Sequence, residues 1–85
     1  MKIVYVEWLD ARIHTGSETP KEAEKTGLMR MRAVGMLVGE DSQVLRLAME
    51  EQLSEEPGSD EIDLYRRTMV IPVNSILRRQ EVVVL

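Results

Sequence analysis

Between Leu28 and Met49 the chain reads LMRMRAVGMLVGEDSQVLRLAM, and its apolar and polar positions predict two strands with a reversal between them. Met29, Met31 and Ala33 alternate with Arg30 and Arg32, the period of two that belongs to a strand with one face on a core. From Val34 onward the alternation is lost, because Met36, Leu37 and Val38 follow with no polar partner. Gly35 at that point predicts a bulge or sharp bend in a long second strand. The reversal is expected at Gly39-Glu40-Asp41-Ser42. Val44 to Met49 then forms a third strand with Leu45, Leu47 and Met49 inside and Arg46 in water.

The segments on either side complete an all-β pattern. Ile3 to Leu9 is β-branched and aromatic, which favours a pleated, half-buried surface. Val4, Val6 and Trp8 share one side of it, and Ile3, Tyr5, Glu7 and Leu9 the other. Both sides are mostly apolar, which leaves the inward one open. Trp8 reads as a core anchor, with exposed ligand stacking as the alternative. Asp10 to Gly27 breaks the strand pattern. There Thr19-Pro20-Lys21-Glu22 has the form of a capping box with proline at the first helical position. About two turns of polar helix are expected, stopped at Gly27 by a left-handed residue. Ile62 to Ile71 is a fourth strand, Pro72 to Ser75 is a single 3₁₀ turn, and Ile76 to Leu85 is a fifth strand. No segment has the length of a βαβ crossover, so the strands must be antiparallel. The expected fold is mainly β: a five-stranded antiparallel small barrel of SH3-like or Sm-like type, with one short helix between strands one and two. It is one domain over residues 1–85, with an insert at 10–27 and an acidic loop at 52–61.

Composition and charge narrow the function classes. At 85 residues without cysteine, the chain has no disulfide framework and buries only about 60–65% of its unfolded surface, so it is expected to be marginally stable. Its 44% hydrophobic and 31% charged residues suit a globular domain. No apolar run approaches the roughly 18 residues of a membrane span. The first residues lack a small-residue cleavage site and include Glu7 and Asp10, so no signal peptide and a cytoplasmic location are expected, with no membrane partner. A net charge of -4 argues against dominant phosphate binding. The charge is uneven, however. Glu50, Glu51, Glu55, Glu56, Asp60, Glu61 and Asp63 contain no basic residue among them, and Arg66, Arg67, Arg78 and Arg79 follow. Two readings stay open: a solvated acidic loop beside an arginine-decorated strand pair, or an electrostatic docking face with those four arginines as binding residues.

Chemistry-bearing constellations are absent. There is no Gly-rich phosphate loop, no nucleophile elbow and no cysteine nucleophile. His14 is the only histidine, which argues against a metal or catalytic role for it. Glu40-Asp41 and Glu50-Glu51 are adjacent carboxylates, which point to opposite faces of a strand or sit at turns, so neither reads as an acid/base dyad. No enzyme, no cofactor, no metal and no small-molecule substrate are expected. Of the six methionines, Met31, Met49 and Met69 read as core fillers, while Met29 and Met36 stay open as contact residues.

Trp8, Asp10 and Ala11, then Val34, Gly35, Leu37, Val38, Glu40 and Asp41, then Leu47 and Ala48, and finally Val70, Ile71, Pro72 and Ile76 resemble the motifs of short uncharacterised proteins of tailed phages and prophages. That resemblance implies a phage-infected or lysogenic bacterial setting and no specific activity. A second resemblance is to Sm-like RNA-binding barrels. Gly35, Leu37 and Asp41 fall at the spacing of the first Sm motif, and Ile71 to Ile76 has the length of the second. Val44 and Leu45 stand where that family places an Asn, and Pro72-Val73 stands in place of Arg-Gly. Such apolar residues neither hydrogen-bond a base edge nor stack as a guanidinium does. The resemblance implies the fold and undercuts the RNA pocket.

Two functions are therefore expected in order. The first is a non-enzymatic interaction or assembly module that pairs with itself or another protein, motivated by the apolar end Val82-Val83-Val84-Leu85. The alternative is a nucleic-acid-binding module using Arg30, Arg32, Arg66, Arg67, Arg78 and Arg79 on one face.

Overall fold

A computed structural model describes residues 1–11 and 15–83 of the chain. His14, Val84 and Leu85 lie outside the described residues. The elements run β1 (Ile3–Asp10), α1 (Pro20–Ala23), β2 (Met29–Glu40), β3 (Val44–Leu53), β4 (Ile62–Pro72), a 3₁₀ turn (Val73–Ser75) and β5 (Ile76–Val82). All five strands form one antiparallel sheet in the order β4-β3-β2-β1-β5.

The core lies on one face of this sheet. Val4, Val6, Trp8, Leu45, Leu47 and Ile71 are buried together, with Met31, Ala33, Leu37, Met49, Met69 and Ile76 packed against them. The register explains the selection. Val4, Val6 and Trp8 stand opposite Gly35, Ala33 and Met31, while Leu47 stands between Leu37 on β2 and Met69 on β4. Each row thus crosses several strands on one side of the pleat. The three core methionines are where the alternation places them.

Gly35 has a different reason from the expected one. The ladder between β1 and β2 passes through it unbroken, and the irregularity of β2 falls between Leu37 and Gly39 instead. A Cβ on Gly35 would come within 3.1 Å of both the Ala48 carbonyl oxygen and Leu47 Cβ, and within 2.8 Å of Met49 Cε. The glycine therefore lets β3 approach closely, and the extra residue at Val38 carries the strand on to Glu40. That extension moves the reversal to residues 41–43. Asp41 closes it by accepting the backbone N–H groups of Gln43 and Val44 at 2.8 and 3.0 Å.

The helix is one turn rather than two. Its capping box is present, with Glu22 N–H donating to Thr19 Oγ1 and Thr19 N–H donating to the Glu22 carboxylate. None of its residues is buried, and a single capped turn does not propagate without an apolar face to dock. It ends before Gly27, which consequently has no left-handed role.

The sheet is not closed into the expected barrel. The 3₁₀ turn after Pro72 carries the chain across one end of the sheet, held there by Val73 N–H donating to the Gln43 carbonyl. β5 then adds to β1, which leaves β4 and β5 on opposite edges with no ladder between them. The molecule is also long, at 59 × 25 × 24 Å, with a radius of gyration of 17.1 Å. A compact domain of this length would have about 12 Å. The β3–β4 hairpin accounts for the excess. β3 pairs with β2 only as far as Ala48, so Met49 to Leu53 has β4 as its single neighbour. Five strand residues add about 17 Å before the turn, and the tip beyond them closes with Ser54 N–H on the Glu61 carbonyl and a left-handed Gly58.

Candidate functional site

The projecting half of the hairpin, residues 49–67, is a two-stranded ribbon with its own side-chain logic. On the core face of the sheet, Leu47 and Met49 are covered, but continuing along the same side come Glu51 and Leu53, with Tyr65 and Ile62 across from them. No β2 residue remains to cover them. Leu53 stays 47% exposed, Tyr65 40%, and Leu64 on the other side 53%. A cleft of about 470 Å³ runs between this ribbon and the start of β1, lined by Met1, Met36, Leu37, Leu53, Ile62 and Tyr65 among others. Met36, one of the two methionines left open from the sequence, belongs to this cleft.

The base of the arm is a kink. Arg67 adopts a left-handed backbone with φ of 52°, in a strand position opposite Met49 where the ladder skips a pair. For a non-glycine residue this conformation costs roughly 1–2 kcal/mol. Two contacts surround it: the Arg67 guanidinium meets Glu50 at 2.7 Å, and Arg66 donates to Gln52. A break of this kind at an edge strand also turns the unpaired N–H and C=O groups away from easy pairing.

On the opposite, outer face of the sheet an arginine cluster surrounds one carboxylate. Glu7 stands in register with Arg32 on β2 and with Arg78 on β5. Arg30 reaches the same carboxylate at 3.1 Å, and the Tyr5 hydroxyl donates to it. The Tyr5 hydrogen bond, then that from Arg30, hold the Glu7 carboxyl below the usual carboxylate range. Arg78 also lies 5.7 Å from the centre of the Tyr5 ring, in cation–π range. Three guanidinium groups stand against this one carboxylate, so the cluster itself carries two more positive charges than negative at neutral pH. Beside it, Tyr5, Val34, Val82 and Val83 line an open cleft of about 490 Å³ together with Arg78, Gln80 and Glu81.

The four arginines expected as binding residues are thus divided. Arg66 and Arg67 lie on β4 and Arg78 and Arg79 on β5, the two outermost strands of the sheet. Arg67 and Arg79 each pair with a carboxylate, Arg79 reaching from β5 to grip Glu40 at the end of β2 with both terminal nitrogens. Arg78 is brought together with Arg30 and Arg32. Sequence reasoning named those three only within a set of six, because strand register, which no local pattern encodes, decides which cations share a face.

A scan against protein-family models finds no match, and neither a search of curated proteins nor a search of solved structures finds one. Function must be argued from the surfaces themselves.

The positions of Sm resemblance serve packing and turn closure here. Leu45 is fully buried in the core, and Asp41 holds the β2–β3 turn with its carboxylate, which also meets Arg46 at 3.4 Å. Glu40 and Asp41 are each engaged in structural hydrogen bonds. Hydrogen bonding from Arg79 pulls the Glu40 carboxyl below its usual range, and the turn amides of Gln43 and Val44 do the same for Asp41. Both are held ionised, the reverse of what a general acid needs at neutral pH. Among the described residues no group of three acidic, histidine or cysteine side chains is placed to hold a metal ion, and no helix is long and apolar enough to cross a membrane.

The Glu40–Arg79 pair carries a pH prediction. A carboxyl whose folded pKa is depressed contributes stability that is present above its unfolded value and lost as pH falls through the folded one. Glu40→Gln is therefore expected to unfold at lower urea than the wild type at pH 7, with the gap closing below the ordinary glutamate range of about pH 4. Urea midpoints at pH 7 and pH 3 measure it, and a gap unchanged by acid contradicts the assignment.

Proposed function

We propose that this protein is a non-enzymatic interaction or assembly module whose working element is the projecting β3–β4 arm. It is of the phage or prophage accessory type that its motifs resemble, built as a variant of the SH3-like and Sm-like small barrels. The observation that carries this reading is the exposure of Leu53, Leu64 and Tyr65 on a ribbon that only two strands support. A two-stranded ribbon in water is marginal by itself, and large apolar side chains on it are a cost to the free protein. Covering them with a partner removes that cost. The strand order and the 3₁₀ turn before β5 favour a small-barrel ancestry, as does the Arg79–Glu40 link across the core face.

Leu53→Ser/Tyr65→Ser tests this reading, since both side chains are exposed and the fold should tolerate their loss. Wild-type protein is expected to associate, with itself or with a protein captured from bacterial lysate, and the double variant is expected to lose that association in light scattering and pull-down. A wild-type monomer that captures nothing, or association indifferent to the two substitutions, overturns it.

A second reading rests on Arg30, Arg32 and Arg78 beside Tyr5, an aromatic ring flanked by cations of the kind that single-stranded nucleic acid uses. Binding of a fluorescent oligonucleotide at about 50 mM salt, with loss at higher salt, is its signature.

A further inference from the structure

The chain is electrically divided along its length. Seven of its fifteen acidic residues lie between Glu50 and Asp63 with no basic residue among them, so the eleven basic residues outnumber the eight remaining acids by three. The acids occupy the arm, and among the described residues Arg32 and Arg78, in register with Glu7 on the outer face of β2 and β5, make no ion pair of their own. Each region also carries exposed apolar side chains: Leu53, Leu64 and Tyr65 on the arm, and Val34, Val82 and Val83, with half-buried Tyr5, beside the arginines. Charge and apolar character are therefore complementary between two surfaces of one molecule. Among the described residues no ion pair joins an arm carboxylate to Arg30, Arg32 or Arg78, so the complement is not met within one molecule and is left for a second.

We propose that the acidic β3–β4 arm of one copy docks on the arginine-bearing outer face of β5, β1 and β2 of a second copy, head to tail. This deepens the reading of the arm as a docking element, and rests on it. The contact is heterologous: each copy offers an arm and a face, and using one leaves the other free, so assembly continues until a ring closes or a filament grows. Complementary charge sets register and encounter rate, while the apolar residues at the centre exclude water. A second copy is favoured over nucleic acid as the occupant because its arm brings both carboxylates and the exposed side chains of Leu53, Leu64 and Tyr65, on an extension reaching away from the body.

Sedimentation velocity tests the proposal with two variants. The arm variant is Glu55→Lys/Glu56→Lys/Asp60→Lys/Glu61→Lys at the exposed tip; the face variant is Arg32→Gln/Arg78→Gln. Wild type is expected to associate with rising concentration and to weaken at least about tenfold in Kd between about 50 and 500 mM salt, as screening shortens the reach of its charges. Each variant alone is expected to be monomeric. Mixed together they are expected to form a 1:1 heterodimer and nothing larger, because only the acidic arm of the face variant and the native face of the arm variant remain compatible. Circular dichroism identical to wild type establishes that both variants are folded.

A wild type that stays monomeric at low salt overturns the proposal, as does a mixture that stays monomeric. Association lost in the arm variant and unchanged in the face variant overturns this inference and leaves the arm as a docking element for another surface. Association unchanged in both overturns the arm reading as well. An oligonucleotide that binds the wild type and displaces the second copy at equal salt reassigns the face to nucleic acid and overturns the proposal too.

Discussion

Trp8→Ala is expected to lower stability by about 3–5 kcal/mol, the range for removing a large aromatic side chain from a core. Trp8 is the largest side chain in the buried cluster, 5% exposed, with Met31 opposite it on β2 and Ile76 on β5. It therefore ties three strands of the sheet together, including the last strand to be added. A domain of 85 residues has roughly 4–13 kcal/mol of total stability, so the loss is a large share of it. At about 4–8 °C per kcal/mol for a domain of this size, thermal unfolding followed by circular dichroism should show Tm falling by about 12 °C or more. A fall of under about 4 °C would mean that Trp8 is not the anchor of the core.

Leu47→Ala is the second large effect, expected at about 2–5 kcal/mol. Leu47 is fully buried, and it sits where β3 still has a neighbour on both sides, Leu37 on β2 and Met69 on β4. Beyond Ala48 the arm makes no ladder pairing with β2, so a cavity at Leu47 weakens the joint on which the projecting ribbon depends. Urea unfolding read by Trp8 fluorescence should show a lower midpoint with the slope unchanged. Hydrogen exchange should show the amides of β3 and β4 losing protection before those of β1. Leu47→Met, which conserves volume, is expected to cost less than about 1.5 kcal/mol. Equal losses for Ala and Met would point away from a cavity and toward strain at the close approach of Gly35.

Much of this fold was legible from local pattern. The alternation of Met29, Met31 and Ala33 with arginines, the capping box at Thr19, the 3₁₀ turn after Pro72 and the burial of Trp8, Leu45 and Leu47 each follow from a short-range rule. Where the expectation missed, a longer-range effect decided. Gly35 reads locally as a bend, yet its lack of a side chain is used by β3, which is brought against it through the Leu37–Leu47 register. The third strand reads locally as ending at Met49, yet strand pairing carries it on through Gln52 and Leu53 against the fourth strand, which starts at Ile62 as expected. The acidic turn between them is only the tip of a longer arm.

The candidate surfaces divide in the same way. Seven acids in a row of fourteen residues are visible in the chain as written, and so is the arginine excess after them. Which arginines stand together is not. Arg78 and Arg79 are neighbours in sequence, but the pleat sends Arg78 to the outer face with Glu7 and Arg32, while Arg79 turns to Glu40 on the core side.

Strand identity, the inward face of β3 and the polarity of each segment were settled by the residues themselves, because side-chain period and turn chemistry act within a few positions. The inward face of β1 was fixed only by packing. The open edges at β4 and β5, the free-standing arm and the grouping of Arg30, Arg32 and Arg78 around Glu7 came only from three-dimensional pairing. Register joins residues that are dozens of positions apart, and its free energy comes from packing across the whole sheet. No local stretch of sequence carries that information.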